Sequence, residues 1–218
     1  MRFGIEASAD VSARDVRLDD TGARFRLITP VGETDVSLPL PGRHNVRNAL
    51  AATAISLAAG VPLDTIVAAL GTAEAVAGRL VRHTLGNGAV LIDDSYNANP
   101  GSLNAAIDTL AAAKGERWLV LGDMRELGGD GAAMHAQAGV RAKSAGIARL
   151  YALGSLSAAA ADAFGDGARR FDTHDALIEA LRADLHGDAR VLVKGSRGSA
   201  MDRVVTALRN NEGTGHAA

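Results

Sequence analysis

The sequence predicts an α/β protein whose larger part is a Rossmann-like, doubly wound, mostly parallel sheet. Three observations predict it. From about residue 80 onward, apolar runs of strand length alternate with longer segments of helical period. The apolar runs are continuous rather than alternating, as in strands buried on both faces. Polar clusters follow directly on three of these runs, and in such sheets ligands sit outside the carboxyl ends of the strands. The first forty residues have a different rhythm of short alternating runs and turns, which sets a domain boundary near residues 78–83.

Taken in order, Val16-Arg-Leu and Phe25-Arg-Leu-Ile-Thr read as strands. Turns at Asp19-Asp-Thr-Gly22 and Pro30-Val-Gly32 bound them. Val36 to Gly42 closes this β region with two prolines. A helix is expected from about Asn45, as its N-cap, to Ala59, with Gly60 at the C′ position. A second starts at Val61-Pro-Leu-Asp and ends at Leu70. Ala89–Asp93 is the first buried strand, and Leu103, Ala106, Ile107 and Leu110 mark one face of the next helix. Strands follow at Trp118–Gly122, Arg149–Leu153, 169–172 and Arg190–Lys194. Helices are expected at about 132–145, in the Ala-rich stretch to Phe164, at 175–185 and at 200–209. A frayed tail is expected at 213–218.

Composition excludes several classes of function. Lys plus Arg number 23 and Asp plus Glu 25, a net charge of −2 that argues against broad binding to nucleic acid or an anionic membrane. Aromatic residues are 3%, too few for a single-strand stacking platform. Cysteine is absent, which removes disulfides, thiolate metal sites and cysteine nucleophiles. No apolar run reaches the ~18 residues of a membrane span. The opening ten residues carry Arg2, Glu6 and Asp10 without an apolar core, so no signal peptide and a cytoplasmic location are expected.

Asp93-Asp-Ser-Tyr-Asn-Ala-Asn-Pro100 follows the first buried strand and gathers carboxylates, amides, a hydroxyl and a phenol. Carboxylates there can take ribose hydroxyls or a cation, and amides can read a base or a peptide. The bland alternative is a polar turn with Ser102 as N-cap. Leu121-Gly-Asp-Met-Arg-Glu-Leu-Gly128 follows the second strand, where Asp123, Arg125 and Glu126 are spaced for a local ion-pair set. In Val193-Lys-Gly-Ser-Arg-Gly198, Gly195 allows close backbone approach and two cations sit at a helix start, which favours an anion. Gly78-Arg79, at the expected boundary, reads as a hinge with a cation, although a lone Gly-Arg is not a specific signal. His83, His135, His174 and His186 have no metal-ligand spacing, and the last two read as surface residues. Neither Gly-x4-Gly-Lys-Ser/Thr nor a strand-borne Gly-x-Gly-x-x-Gly is present.

Together and in order, Gly42-Arg-His-Asn-Val-Arg-Asn-Ala-Leu-Ala-Ala52, Gly78-Arg79, Asp93–Pro100, Leu121–Gly128 and Lys194-Gly-Ser-Arg197 resemble the Mur ligases of peptidoglycan synthesis. Within that family the wording resembles the branch that adds D-alanyl-D-alanine. The resemblance runs from about residue 3 to 209. It implies the end of a central ATPase-type domain at 1–80, followed by the family's C-terminal domain at 81–212. It implies the substrates UDP-N-acetylmuramoyl-tripeptide and D-alanyl-D-alanine, with ATP and Mg²⁺ driving amide formation through an acyl phosphate.

The resemblance also implies roles. Asn45 and Asn48 lie on the nucleotide side, and Arg79 reaches the ATP phosphates. Asp94 holds the ribose, with Asp93 the alternative by one position. Tyr96, Asn97 and Asn99 face nucleotide and dipeptide. Lys194, Ser196 and Arg197 contact the dipeptide carboxylate, and Arg79 and Lys194 are the catalytic cations. The family's P-loop and metal ligands are implied to lie in a missing N-terminal half. On this reading the chain alone makes no acyl phosphate. The alternatives are a non-catalytic dipeptide- or nucleotide-binding module, or a split-ligase half that needs a P-loop partner chain.

Overall fold

The computed structural model describes residues 1–5, 8–19, 21–74 and 76–210, so the tail expected at 213–218 lies outside the described residues. The chain divides into two compact units, Met1–Ala75 and Val76–Ala218.

The first unit is a four-stranded sheet covered on one face by two helices. β1 (Phe3–Ile5), β2 (Val11–Leu18), β3 (Ala23–Thr29) and β4 (Gly32–Leu38) lie in sequence order. β1 runs parallel to β2 and the other pairings are antiparallel. The turns form where their chemistry is strongest. Asp19 Oδ1 accepts from the backbone N–H groups of Thr21 and Gly22, and Gly32 takes φ +144° after Pro30-Val31. Alternation along β3 buries Ala23, Phe25, Leu27 and Thr29. Against that face lie α1 (Arg43–Ala58), through Val46, Leu50 and Ala54, and α2 (Leu63–Gly71), through Ile66 and Leu70. α1 starts earlier than expected, because its N-cap is Gly42, at φ +95°, and not Asn45. Gly60, at φ +83°, does follow its C-cap.

The second unit is a six-stranded sheet of order β5-β6-β10-β7-β8-β9. β6 (Val90–Asp94), β7 (Glu116–Gly122), β8 (Arg149–Leu153), β9 (Ala168–Phe171) and β10 (Ala189–Lys194) are parallel. β5 (Val81–Thr84) is an antiparallel edge strand. Side chains alternate between two cores, which is why the strands read as unbroken apolar runs. Ile92, Leu119, Leu121, Leu150 and Leu192 face α3 (Pro100–Ala111), α4 (Gly131–Ser144) and α5 (Ser157–Phe164). Leu91, Trp118, Val120, Tyr151, Val191 and Val193 face α6 (His174–Asp184) and α7 (Asp202–Asn210). The Ala-rich helices pack closely, and a Cβ at Gly139 has no room against the Ala160 backbone. β10 enters last and inserts between β6 and β7, so the carboxyl ends of three strands distant in sequence become neighbours.

Candidate functional site

Parallel register carries the three polar clusters of the second unit to one edge of its sheet. Lys194 is paired with Asp94 on β6 and with Leu121 on β7. Its ammonium donates to Asp94 Oδ2 at 2.6 Å and to the Asn97 carbonyl at 2.9 Å, and the residue is 2% exposed. A buried ammonium requires such a partner set, because a lone charge there is costly. The pair joins β10 to the loop after β6. Successive strand residues face opposite sides, so Asp93 points away from Asp94. Its Oδ1 accepts from the backbone N–H and the hydroxyl of Ser95, at 3.1 and 2.6 Å.

The same loop then turns into α3. Asn97 Oδ1 accepts from Ala98 N–H at 2.9 Å. The N-cap of α3 is Asn99, not Ser102. Asn99 Oδ1 accepts from Ser102 N–H at 2.8 Å, Asn99 N–H donates to Ser102 Oγ at 3.1 Å, and Pro100 holds the first turn.

Asp123, at the end of β7, ties the other two clusters together. Its backbone carbonyl accepts from the Ser196 N–H at 3.1 Å and the Ser196 hydroxyl at 2.6 Å. Its carboxylate accepts from the N–H and hydroxyl of Ser157 at the start of α5, at 2.8 and 2.7 Å. The ion-pair set expected among Asp123, Arg125 and Glu126 is not formed among the described residues; Asp123 Oδ1 accepts from Ser157 instead. Gly195 passes so close to Gly122 that a Cβ on it would sit 3.2 Å from the Gly122 Cα. Met124 N–H donates to His135 Nε2 at 2.9 Å, which leaves Nδ1 to donate to the Gly131 carbonyl at 2.6 Å. The fully buried His135 is thereby fixed as one neutral tautomer. His174, expected at the surface, is half-buried and contacts the Ser199 carbonyl through Nε2 at 2.9 Å.

Above these buried contacts lies an exposed cationic and aromatic group. Tyr96 is 41% exposed, with the Arg79 guanidinium 4.5 Å and the Arg197 guanidinium 5.5 Å from its ring centroid. Its backbone is fixed by donation to the Gly78 carbonyl at 3.0 Å. Gly78 takes φ +74°, and a Cβ there would come within 2.9 Å of Tyr96 N.

Of the residues the sequence singled out, Arg79, Asp94, Tyr96, Asn97, Asn99, Lys194, Ser196 and Arg197 all belong to this second unit. The Asn99 oxygen, the Ser196 hydroxyl and the Lys194 ammonium are each held by internal partners. Asn45 and Asn48 belong to the first unit, in the first turns of α1. Asn45 Nδ2 donates to the Pro41 carbonyl at 2.9 Å, and Asn48 Nδ2 lies 3.5 Å from Asn45 Oδ1. Sequence reasoning missed the organising parts of Asp123, Ser157 and His135. The only signal for them was the position of Asp123 directly after an apolar run.

An open parallel sheet with its cations and an exposed ring at the strand carboxyl ends is the layout of an α/β ligand-binding domain. Comparison with known proteins gives the family. Residues 78–197 match the Mur ligase glutamate ligase domain and residues 1–56 the Mur ligase middle domain. The UDP-N-acetylmuramoyl-tripeptide–D-alanyl-D-alanine ligase of Escherichia coli K12 is 46% identical over 207 residues, covering 94% of this chain and 46% of that protein. A crystal structure of MurF from Acinetobacter baumannii superposes with a TM-score of 0.84 at 34% identity, covering 96% of this chain and 47% of the other. MurF from Thermotoga maritima, solved in complex with ADP, shares the fold with a TM-score of 0.80 at 20% identity, covering 97% of this chain and 48% of that one. The chain belongs to the Mur ligase family. It spans about half the length of the curated relatives it matches. Among the described residues, no helix is long and apolar enough to cross a membrane.

Proposed function

We propose that this chain contributes to an ATP-dependent ligase that joins D-alanyl-D-alanine to UDP-N-acetylmuramoyl-tripeptide during peptidoglycan precursor synthesis. The observation that carries this reading is the 46% identity to the E. coli ligase across 94% of the chain. In this reading the first unit, Met1–Ala75, is the end of the central ATP-binding domain and the second, from Val76, is the C-terminal domain, a boundary a few residues before the one expected at 78–83. The use of ATP sets the location in the cytoplasm.

The residues at the sheet edge fit a nucleotide and an amino-acid carboxylate. Arg79 and Arg197 have no ion pair with a carboxylate among the described residues, and the Tyr96 ring is open to solvent. ATP, when bound, supplies the phosphoryl group that makes the tripeptide carboxylate electrophilic. Arg79 neutralises phosphate charge, and Arg197 holds the dipeptide carboxylate. Asn97 and Asn99 keep amide N–H donors for ligand carbonyls. The Lys194–Asp94 pair, buried beneath, fixes the loop that carries Tyr96, Asn97 and Asn99. Asn45 and Asn48 act on the nucleotide side from the first unit. The 218 residues contain no Gly-x4-Gly-Lys-Ser/Thr, and in this reading a P-loop and Mg²⁺ ligands are supplied by other polypeptide sequence.

Calorimetric titration of the chain with D-alanyl-D-alanine, alone and with ADP present, tests this reading. Binding that weakens at least about tenfold in Arg197→Ala is expected. Equal binding by wild type and Arg197→Ala, or no binding by a folded chain, overturns it.

A further inference from the structure

Arg79 and Arg197 are far apart in sequence, yet both guanidiniums lie over one ring, 4.5 and 5.5 Å from the Tyr96 centroid. Their charges therefore lie within roughly a Debye length of ~10 Å, where repulsion between them is only partly screened. Neither is neutralised by a carboxylate among the described residues. The negative face of the ring offsets part of the repulsion. Both arms of the arrangement are held from below. The carbonyl of Gly78, next to Arg79, accepts the Tyr96 N–H, and Tyr96 itself leaves no room for a Cβ at Gly78, whose φ is +74°. Ser196, next to Arg197, is anchored on the Asp123 carbonyl by two hydrogen bonds.

The geometry points to Tyr96 as a positioning residue that gathers Arg79 and Arg197 into one two-cation receptor, on which the phosphate read for Arg79 and the carboxylate read for Arg197 are adjacent oxyanions. The inference rests on the proposed function only for where the ligands lie. The ring restricts two long side chains that would otherwise be free, so less conformational entropy is lost when an anion binds. The guanidinium planes present several N–H donors in fixed directions, suited to a phosphoryl or carboxylate group. The anion in turn relieves the repulsion between the two cations. Tyr96 thus acts through the arginines, by its ring rather than its hydroxyl.

The test titrates the 218-residue chain with inorganic pyrophosphate and, separately, with D-alanyl-D-alanine. Arginine Nε–Hε resonances report the geometry alongside. In wild type the Arg79 and Arg197 signals carry ring-current shifts, and Tyr96→Leu abolishes them. Tyr96→Leu weakens pyrophosphate binding roughly fivefold to tenfold, the scale of two exposed cation–π contacts. Tyr96→Phe restores binding to within about twofold of wild type, because the ring is kept. In an Arg79→Ala/Arg197→Ala background, Tyr96→Leu has no further effect, although a merely structural role would persist there. Unchanged pyrophosphate affinity in Tyr96→Leu overturns the inference, as does Tyr96→Phe behaving like Tyr96→Leu. If D-alanyl-D-alanine does not bind but this pyrophosphate pattern holds, the ligase reading fails and the positioning role stands. If D-alanyl-D-alanine binds and Tyr96→Leu changes the affinity for neither ligand, the positioning role fails and the ligase reading stands.

Discussion

Lys194 shows how one residue can look like a free ligand-binding cation and be a buried partner. In sequence it stands before a Gly-Ser-Arg turn, but in the fold its side chain is 3% exposed and meets an Asp94 side chain that is 12% exposed. Removing one member of such a pair leaves the other charged and desolvated. Lys194→Met is expected to cost about 3–5 kcal/mol in denaturant unfolding. Lys194→Met combined with Asp94→Leu is expected to recover a large part of that loss. A single variant that loses less than about 1 kcal/mol would show that the pair is not fixed in this way. For the proposed ligase reaction, Lys194 is therefore proposed as a positioning residue that acts through the loop it holds, and not as the catalytic cation expected from sequence.

At the scale of elements, caps and strand ends decide where side chains go. Asn99 closes a capping box with Ser102, and Asn99→Ala is expected to cost about 1 kcal/mol in the same unfolding experiment. Asn99→Asp, which keeps the accepting oxygen, is expected to cost little, and equal losses in both variants would contradict the cap. The opposite edge of the sheet carries a different network. Glu116, at the start of β7, accepts from Trp118 Nε1 at 2.9 Å, Arg149 Nε at 3.0 Å and His186 Nε2 at 3.1 Å. Partial burial pushes its carboxyl up, but hydrogen bonds from Trp118 and Arg149 outweigh it and hold it below the usual carboxylate range. A depressed folded value means that this stability is present above the unfolded value of about 4.3 and is lost as pH falls through the folded one. The Tm advantage of wild type over Glu116→Gln should therefore shrink between about pH 5 and pH 3. An advantage that stays constant over that interval would contradict the assignment. On the neighbouring strand, burial and donation to Asp184 push the Tyr151 hydroxyl up to about 12, so it stays a hydrogen-bond donor at neutral pH.

The central strands were legible because burial on both faces leaves an unbroken apolar signature. β1 and β5 were not. β1 has three residues including Gly4, too short to show a period, and β5 interleaves half-buried Val81 and His83 with exposed Arg82 and Thr84. The cap of α1 was misplaced because Asn45 has the preferred chemistry, whereas Gly42 has the backbone angles that turn the chain. The candidate site was legible as three clusters after three strands. Its pairings were not, since Lys194 and Asp94 are 100 residues apart and meet only through parallel register. Tyr96 likewise gives no hint in sequence that two arginine guanidiniums lie over its ring.

At the scale of the whole molecule, two units with separate cores carry residues for one proposed reaction. Family membership, the sheet-edge cluster and the coverage of about half of each relative all bear on a ligase that is larger than these 218 residues. A chimaera in which this chain replaces the matching half of the E. coli ligase puts that reaction to the test. ADP release is followed when ATP, UDP-N-acetylmuramoyl-tripeptide and D-alanyl-D-alanine are supplied together. Turnover is expected to require D-alanyl-D-alanine and to fall at least about a hundredfold in Arg79→Ala. A folded chimaera that binds nucleotide yet shows no dipeptide-dependent ADP release would contradict the ligase reading.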